Sequence, residues 1–208
     1  DSSPSRGLGD VYKRQHDIAI GKPGAMSLAL NLQNEELNKL RDVISSSSMR
    51  IYSTNDLVGV ALGSCIKNVY AIATGISDGL GYGDNARAAL LTRSMNEMIS
   101  LGCELGGRQE TFFGLSGFGD LVATCMGEWS RNRKFGLKVA SGESPQDANA
   151  SQITVVEGFS AAKCFQEKCQ DLKIEMPILN EIFQILHQGK QPEQALEDLM
   201  DRKLKQER

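Results

Sequence analysis

The chain has 208 residues, 40% of them hydrophobic and 24% charged, with a formal net charge of −3. That length and mixture suit a soluble protein holding one ordinary domain and part of another. The weak negative charge excludes a global pull toward nucleic acid or anionic membranes, so any anion site must be a local cluster.

Residues 1–15, from Asp1 to Gln15, lack the apolar stretch of a signal peptide and show neither helical nor strand periodicity. They look like a translated sequencing-adapter scar and are expected to be non-native or disordered, with the natural N-terminus missing. Residues 16–55 read as α/β. Asp17–Ile20 and Met26–Leu32 are short apolar runs broken by Gly21, Pro23 and Gly24. Asn34 is the expected N-cap of a helix striped by Leu37, Leu40, Val43 and Ile44, and Met49–Tyr52 reads as the next strand. Strand, helix, strand is the tail of a βαβ-type sheet.

The character changes at about residue 55, and residues 56–208 read as helical. Helices are expected near 57–79, 84–103, 109–113, 117–125, 130–140, 156–170, 178–188 and 192–205. The most apolar segment, Val58–Ile76, carries a single charge, Lys67, with Asn68 beside it. So apolar a helix must be surrounded by protein. Its internal glycines, Lys67 and Asn68 argue against a membrane span. Gly63, Lys67, Ala71, Gly75 and Gly79 recur every four residues and share one helix face, leaving room for a neighbouring backbone or a ligand. Burying an ammonium is costly without a partner, and a buried lysine can act as a general acid or base. On spacing alone, a lysine snorkelling to water or paired with a structural carboxylate is an equal reading.

Three later segments add candidates. In GLSGFGDLVATC, Gly114–Cys125, a glycine-rich turn precedes Asp120, which reads either as an acid at a helix N-terminus or as the partner of a buried lysine. The turn lacks dinucleotide-loop spacing. In SRNRKFG, Ser130 is a natural N-cap followed by Arg131, Asn132, Arg133 and Lys134. Cations there oppose the helix dipole unless an anion sits on the turn; a solvated basic turn is the bland alternative. A nucleic-acid patch is disfavoured by the cluster's small size. The run Val155-Val156-Glu157-Gly158 ends in a lone acid that reads locally as a cap. The cysteines, Cys65, Cys103, Cys125, Cys164 and Cys169, form no CxxC, and neither His16 nor His187 sits near one in a zinc pattern. The expectation is therefore no metal site and free thiols in a reducing cytoplasm.

Taken in order, GVALGSCIKNVYAIATGISDGLGYGDNARAAL, GLSGFGDLVATC, SRNRKFG and VVEG resemble the bacterial-type NAD(P)-dependent glycerol-3-phosphate dehydrogenases. The resemblance covers roughly residues 50–200, and 17–50 more loosely. It implies a mainly α chain: a multi-helical domain like the C-terminal domain of 6-phosphogluconate dehydrogenase, preceded by a partial Rossmann remnant. The dinucleotide fingerprint would lie upstream of residue 17, so the chain is expected to be a fragment, inactive alone. The resemblance implies reduction of dihydroxyacetone phosphate to sn-glycerol 3-phosphate for phospholipid synthesis, with NAD or NADP as cofactor. It implies Lys67 as the proton-transfer residue with Asp120 as its partner. Asn68, Ser130, Arg131 and Asn132 join these two around the substrate, and Arg131, Val155 and Glu157 would contact the cofactor. A homodimer is compatible with it. The family commonly has a Gly-Gly-Ala-Leu type run before the lysine, where this chain has Gly63-Ser64-Cys65-Ile66. The rival readings are a related dehydrogenase on another substrate and a non-catalytic helical binding or dimerisation module.

Overall fold

Gly24–Ala29 (β1) and Met49–Thr54 (β2) pair in parallel, from Gly24 opposite Met49 to Ala29 opposite Thr54. They are joined by the helix Asn34–Ile44 (α1). The computed structural model describes residues 22–151 and 154–202. The expected strand at Asp17–Ile20, the segment 1–15 and the end of the last helix at 203–205 lie outside them. Asn34 does not cap α1. The chain is still extended at Gln33, which takes the cap position without a side-chain bond, and Asn34 is the first helical residue. Of the expected stripe, Leu37 is buried, but Val43 is 81% exposed.

Among the described residues, all the later elements are helical. Leu57–Gly79 (α2) starts where Asp56 Oδ1 accepts the Gly59 N–H at 2.8 Å. The other Asp56 oxygen accepts the Arg108 N–H at 2.8 Å, so one carboxylate satisfies two orphan donors. The helix ends at Gly79, and Gly81 turns the chain at φ +77°. Gly83–Glu104 (α3), Gln109–Phe113 (α4), a π-helical turn at Leu115–Gly119 and Asp120–Met126 (α5) follow. The helix expected at 117–125 is thus two pieces, and Asp120 is the first residue of the second. Arg131–Ala140 (α6), Pro145–Ala150 (α7), Glu157–Leu172 (α8), Pro177–Gln188 (α9) and Pro192–Met200 (α10) complete the order. Helix α7 was not anticipated, although Ser144 caps it, accepting the Asp147 N–H, and Pro145 occupies its first turn.

Every residue of α2 from Ile66 to Ile76 is buried, because α3, α5, α6, α8 and α9 all pack against this helix. Tyr70, Ile72, Phe112, Leu121, Phe135 and Leu179 fill the space between, each contributing on the order of 2–3 kcal/mol by leaving water. Helix α2 is long and apolar enough to cross a bilayer, yet its middle is buried within the fold. The stripe of small residues is where other backbones come close. A Cβ on Gly63 would stand 2.6 Å from the Ser116 carbonyl oxygen, and one on Gly75 would collide with the Arg133 carbonyl. Gly136 lies at the same α2–α6 crossing. The fold is mainly helical with a small α/β remnant at its start, as the sequence implies.

Candidate active site

Lys67 lies at the middle of α2 and is 4% exposed. Its Nζ meets Asp120 Oδ2 at 2.5 Å, and Asp120 is itself 6% exposed. The two are 53 residues apart in sequence. Breaking a pair buried this deeply by removing one partner costs about 3–5 kcal/mol, because the other charge is stranded. The backbone places Asp120 well: the π-helical turn packs on Gly63, one turn before Lys67, and leads directly into α5.

Asn68 points to the other side and belongs to a closed polar ring. The Gly158 N–H donates to Asn132 Oδ1 at 2.9 Å. That fixes the Asn132 amide, whose Nδ2 donates to Asn68 Oδ1 at 2.9 Å. The Asn68 Nδ2 then donates to Glu157 Oε2 at 2.9 Å and to the Ser64 carbonyl at 3.3 Å. Since a backbone N–H can only donate, one bond sets the direction of all the others. The ring ties the middle of α2 to the first turns of α6 and α8. Both amide hydrogens of Asn68 are thereby committed to protein partners.

Ser130 caps α6, accepting the Arg133 N–H at 3.2 Å. Arg131 follows with a guanidinium one-third exposed, 3.9 Å from Glu157 Oε1. Val155, just before the ring, is 72% exposed. Arg133 turns away from this rim: it forks onto Asp78 at 2.6 and 2.9 Å. The basic turn is therefore not a uniform cluster of cations. Asp78 was missed in the sequence because its partners, Arg87 and Arg133, lie 9 and 55 residues away. The departure at Gly63-Ser64-Cys65-Ile66 leaves a thiol beside the ring. Partial desolvation raises the Cys65 thiol above its ordinary value, and the charges at Glu157 and Cys164 add to this, although the residue as a whole is exposed. A broad open cleft lies elsewhere, against β1, β2 and Ser45–Ser48, and shares no residue with this site.

A buried lysine–carboxylate pair beside a directed amide ring, with one arginine at an open rim, can move a proton and hold an anion. Comparison with known proteins gives the family. Residues 56–197 match the family described as NAD-dependent glycerol-3-phosphate dehydrogenase C-terminus. The chain is 45% identical, over 92% of its length, to a glycerol-3-phosphate dehydrogenase (NAD(P)+) of Solidesulfovibrio magneticus, of which it covers 58%. It is 41% identical to a crystal structure of glycerol-3-phosphate dehydrogenase from Coxiella burnetii, with TM-score 0.83 over 89% of this chain and 57% of that one. A yeast glycerol-3-phosphate dehydrogenase structure, at 21% identity and TM-score 0.80, shares the fold. The chain spans little more than half the length of the curated relatives it matches. It belongs to the C-terminal family of the NAD-dependent glycerol-3-phosphate dehydrogenases.

Proposed function

We propose that this chain is the substrate-side part of an NAD(P)-dependent glycerol-3-phosphate dehydrogenase that interconverts dihydroxyacetone phosphate and sn-glycerol 3-phosphate for phospholipid synthesis. The observation that carries the reading is the buried Lys67–Asp120 pair at 2.5 Å, set one residue from the Asn68–Asn132–Glu157 ring. A nicotinamide held at its edge by Arg131, Val155 and Glu157 would supply hydride chemistry at C2. Lys67 protonates the C2 oxygen as the carbonyl is reduced and accepts that proton in the reverse direction. Asp120 holds the Lys67 ammonium in position. Arg131 and Ser130, at the start of α6, bind the phosphate together with the Asn132 amide hydrogen that the ring leaves over, and this remote binding orients the carbonyl. Asn68 fixes Asn132 and Glu157 around the reacting carbon.

Arg131, Glu157 and Val155 suit the edge of a dinucleotide, with a charged pair and an apolar side chain on one open rim. The strand-to-helix turns at Leu30–Gln33 and Asn55–Asp56 contain no glycine for close approach to a pyrophosphate, so these residues hold one end of the cofactor only. A cytoplasmic location fits the five free cysteines. Exposed Phe113, Phe118 and Trp129 offer apolar surface for a homodimer.

The test is NADH oxidation by the full-length protein containing these residues. Lys67→Met should lower turnover with dihydroxyacetone phosphate by about 100-fold or more while leaving dinucleotide affinity unchanged. Hydroxyacetone, which lacks the phosphate, should react far more slowly. Normal turnover in Lys67→Met, or equal use of the two ketones, would sink the proposal.

A further inference from the structure

Asp78 sits on the last turn of α2, three turns beyond Lys67, and takes two guanidinium groups in a setting only 6% exposed. Its Oδ2 accepts both Nε and Nη2 of Arg133, at 2.9 and 2.6 Å. Its Oδ1 accepts Nε of Arg87 at 2.8 Å, and Arg87 also reaches Asp84 at 2.7 Å. Arg133 is the residue after Asn132. Its main-chain N–H serves the Ser130 cap, and its carbonyl lies against Gly75. The first turn of α6 is therefore held on α2 at three points: the Asn132–Asn68 bond, the backbone contact at Gly75 and the fork on Asp78. The fork engages two guanidinium nitrogens, which fixes orientation as well as distance. The charges also balance: Arg87 and Arg133 face Asp78 and Asp84, and Arg131 remains as a cation at the rim.

We propose that Asp78 is a positioning residue for the substrate: by clamping Arg133 it sets the rotation of the Ser130–Asn132 turn and keeps Arg131 as that turn's phosphate-facing cation. The inference rests on the reading of this turn as the phosphate site. Asp78 touches neither Lys67 nor the ring, so its effect falls on substrate affinity rather than on the proton step. A shift of the turn by about an ångström is enough to lengthen and misdirect the hydrogen bonds that would hold the phosphate.

The experiment measures kcat, KM for dihydroxyacetone phosphate and NADH affinity in the full-length protein for Asp78→Asn, Arg133→Gln, the double variant, Arg87→Gln and Arg131→Ala. Asp78→Asn and Arg133→Gln should each raise KM about 10-fold, with kcat within about twofold and NADH affinity unchanged. The double variant should be no worse than either single one, because both remove the same fork. Arg87→Gln leaves the fork intact and should keep KM near wild type. If Asp78→Asn does not fold, Arg133→Gln reports on the same contact. If Arg131→Ala raises KM while Asp78→Asn and Arg133→Gln do not, the positioning role is overturned and the phosphate reading stands. If Arg131→Ala leaves KM unchanged, both fall. A loss of kcat without a change in KM would also overturn the positioning role.

Discussion

Glu97, on α3, gives the chain a calculable pH dependence. Its side chain is 8% exposed and reaches across to the start of α9. There its Oε1 accepts the Ile178 N–H at 2.7 Å, and its Oε2 accepts the Leu179 N–H at 3.2 Å and the Tyr70 hydroxyl at 3.3 Å. Burial pushes the carboxyl up from 4.5 to about 7, and the three hydrogen bonds and the charge of Arg202 do not pull it back. Because the folded value is the higher one, the native state holds a proton that the unfolded chain releases. The contribution is thus fully present below about pH 4.5 and is lost as pH rises to about 7. At about 1.4 kcal/mol per pH unit, the window amounts to about 3 kcal/mol. Glu97→Gln removes the titration and, by placing an amide N–H where an acceptor stood, adds a constant cost of about 1 kcal/mol. Urea unfolding of both proteins from about pH 4.5 to 8 tests this. The variant should be the less stable at the acid end and gain on wild type by about 3 kcal/mol toward pH 8. Parallel stability curves would refute the reasoning, since they would mean that Glu97 titrates alike in both states.

Two further substitutions probe the scaffold. Gly75→Ala would drive a methyl into the Arg133 carbonyl and should destabilise the protein by about 2 kcal/mol or more in thermal or urea unfolding; a variant of wild-type stability would show that α2 and α6 need not touch there. Asp56→Ala strands the Gly59 and Arg108 N–H groups and should cost about 2 kcal/mol or more at pH 7. Burial works to raise the Asp56 carboxyl, but bonds from Thr111, Gly59 and Arg108 outweigh it and hold the group below its ordinary 3.8. Its stabilisation is therefore present above that value and lost as pH falls through the lower folded one, so the penalty measured at pH 7 should shrink in strong acid.

What was legible in the sequence was what period and local chemistry record. The apolar run from Val58 announced α2, and Ser130 before a basic turn announced α6. The four-residue spacing put Gly63, Lys67 and Gly75 on one face, but whether that face met a ligand or a backbone depended on chain that arrives later. The fate of Arg133 was hidden for the same reason: its neighbours in sequence suggest a bound anion, while its partner in space is Asp78. At α1 the backbone enters the helix one residue earlier than an N-cap at Asn34 would require, because Gln33 is already the last extended residue. The amide ring could not be read at all, since its bonds span 26, 64 and 89 residues.

The enclosure of α2 also has a consequence for biosynthesis. The helix leaves the ribosome well before its cover: Asp120 follows Lys67 by 53 residues, and Glu157 follows Asn68 by 89. At roughly 5–20 residues per second, the second interval lasts roughly 4–18 s. Until that interval ends a 23-residue apolar helix stands without the full set of partners that bury it. It is the stretch of the nascent chain on which chaperones and membrane-targeting factors would compete, and completion of α9 is what withdraws it from both.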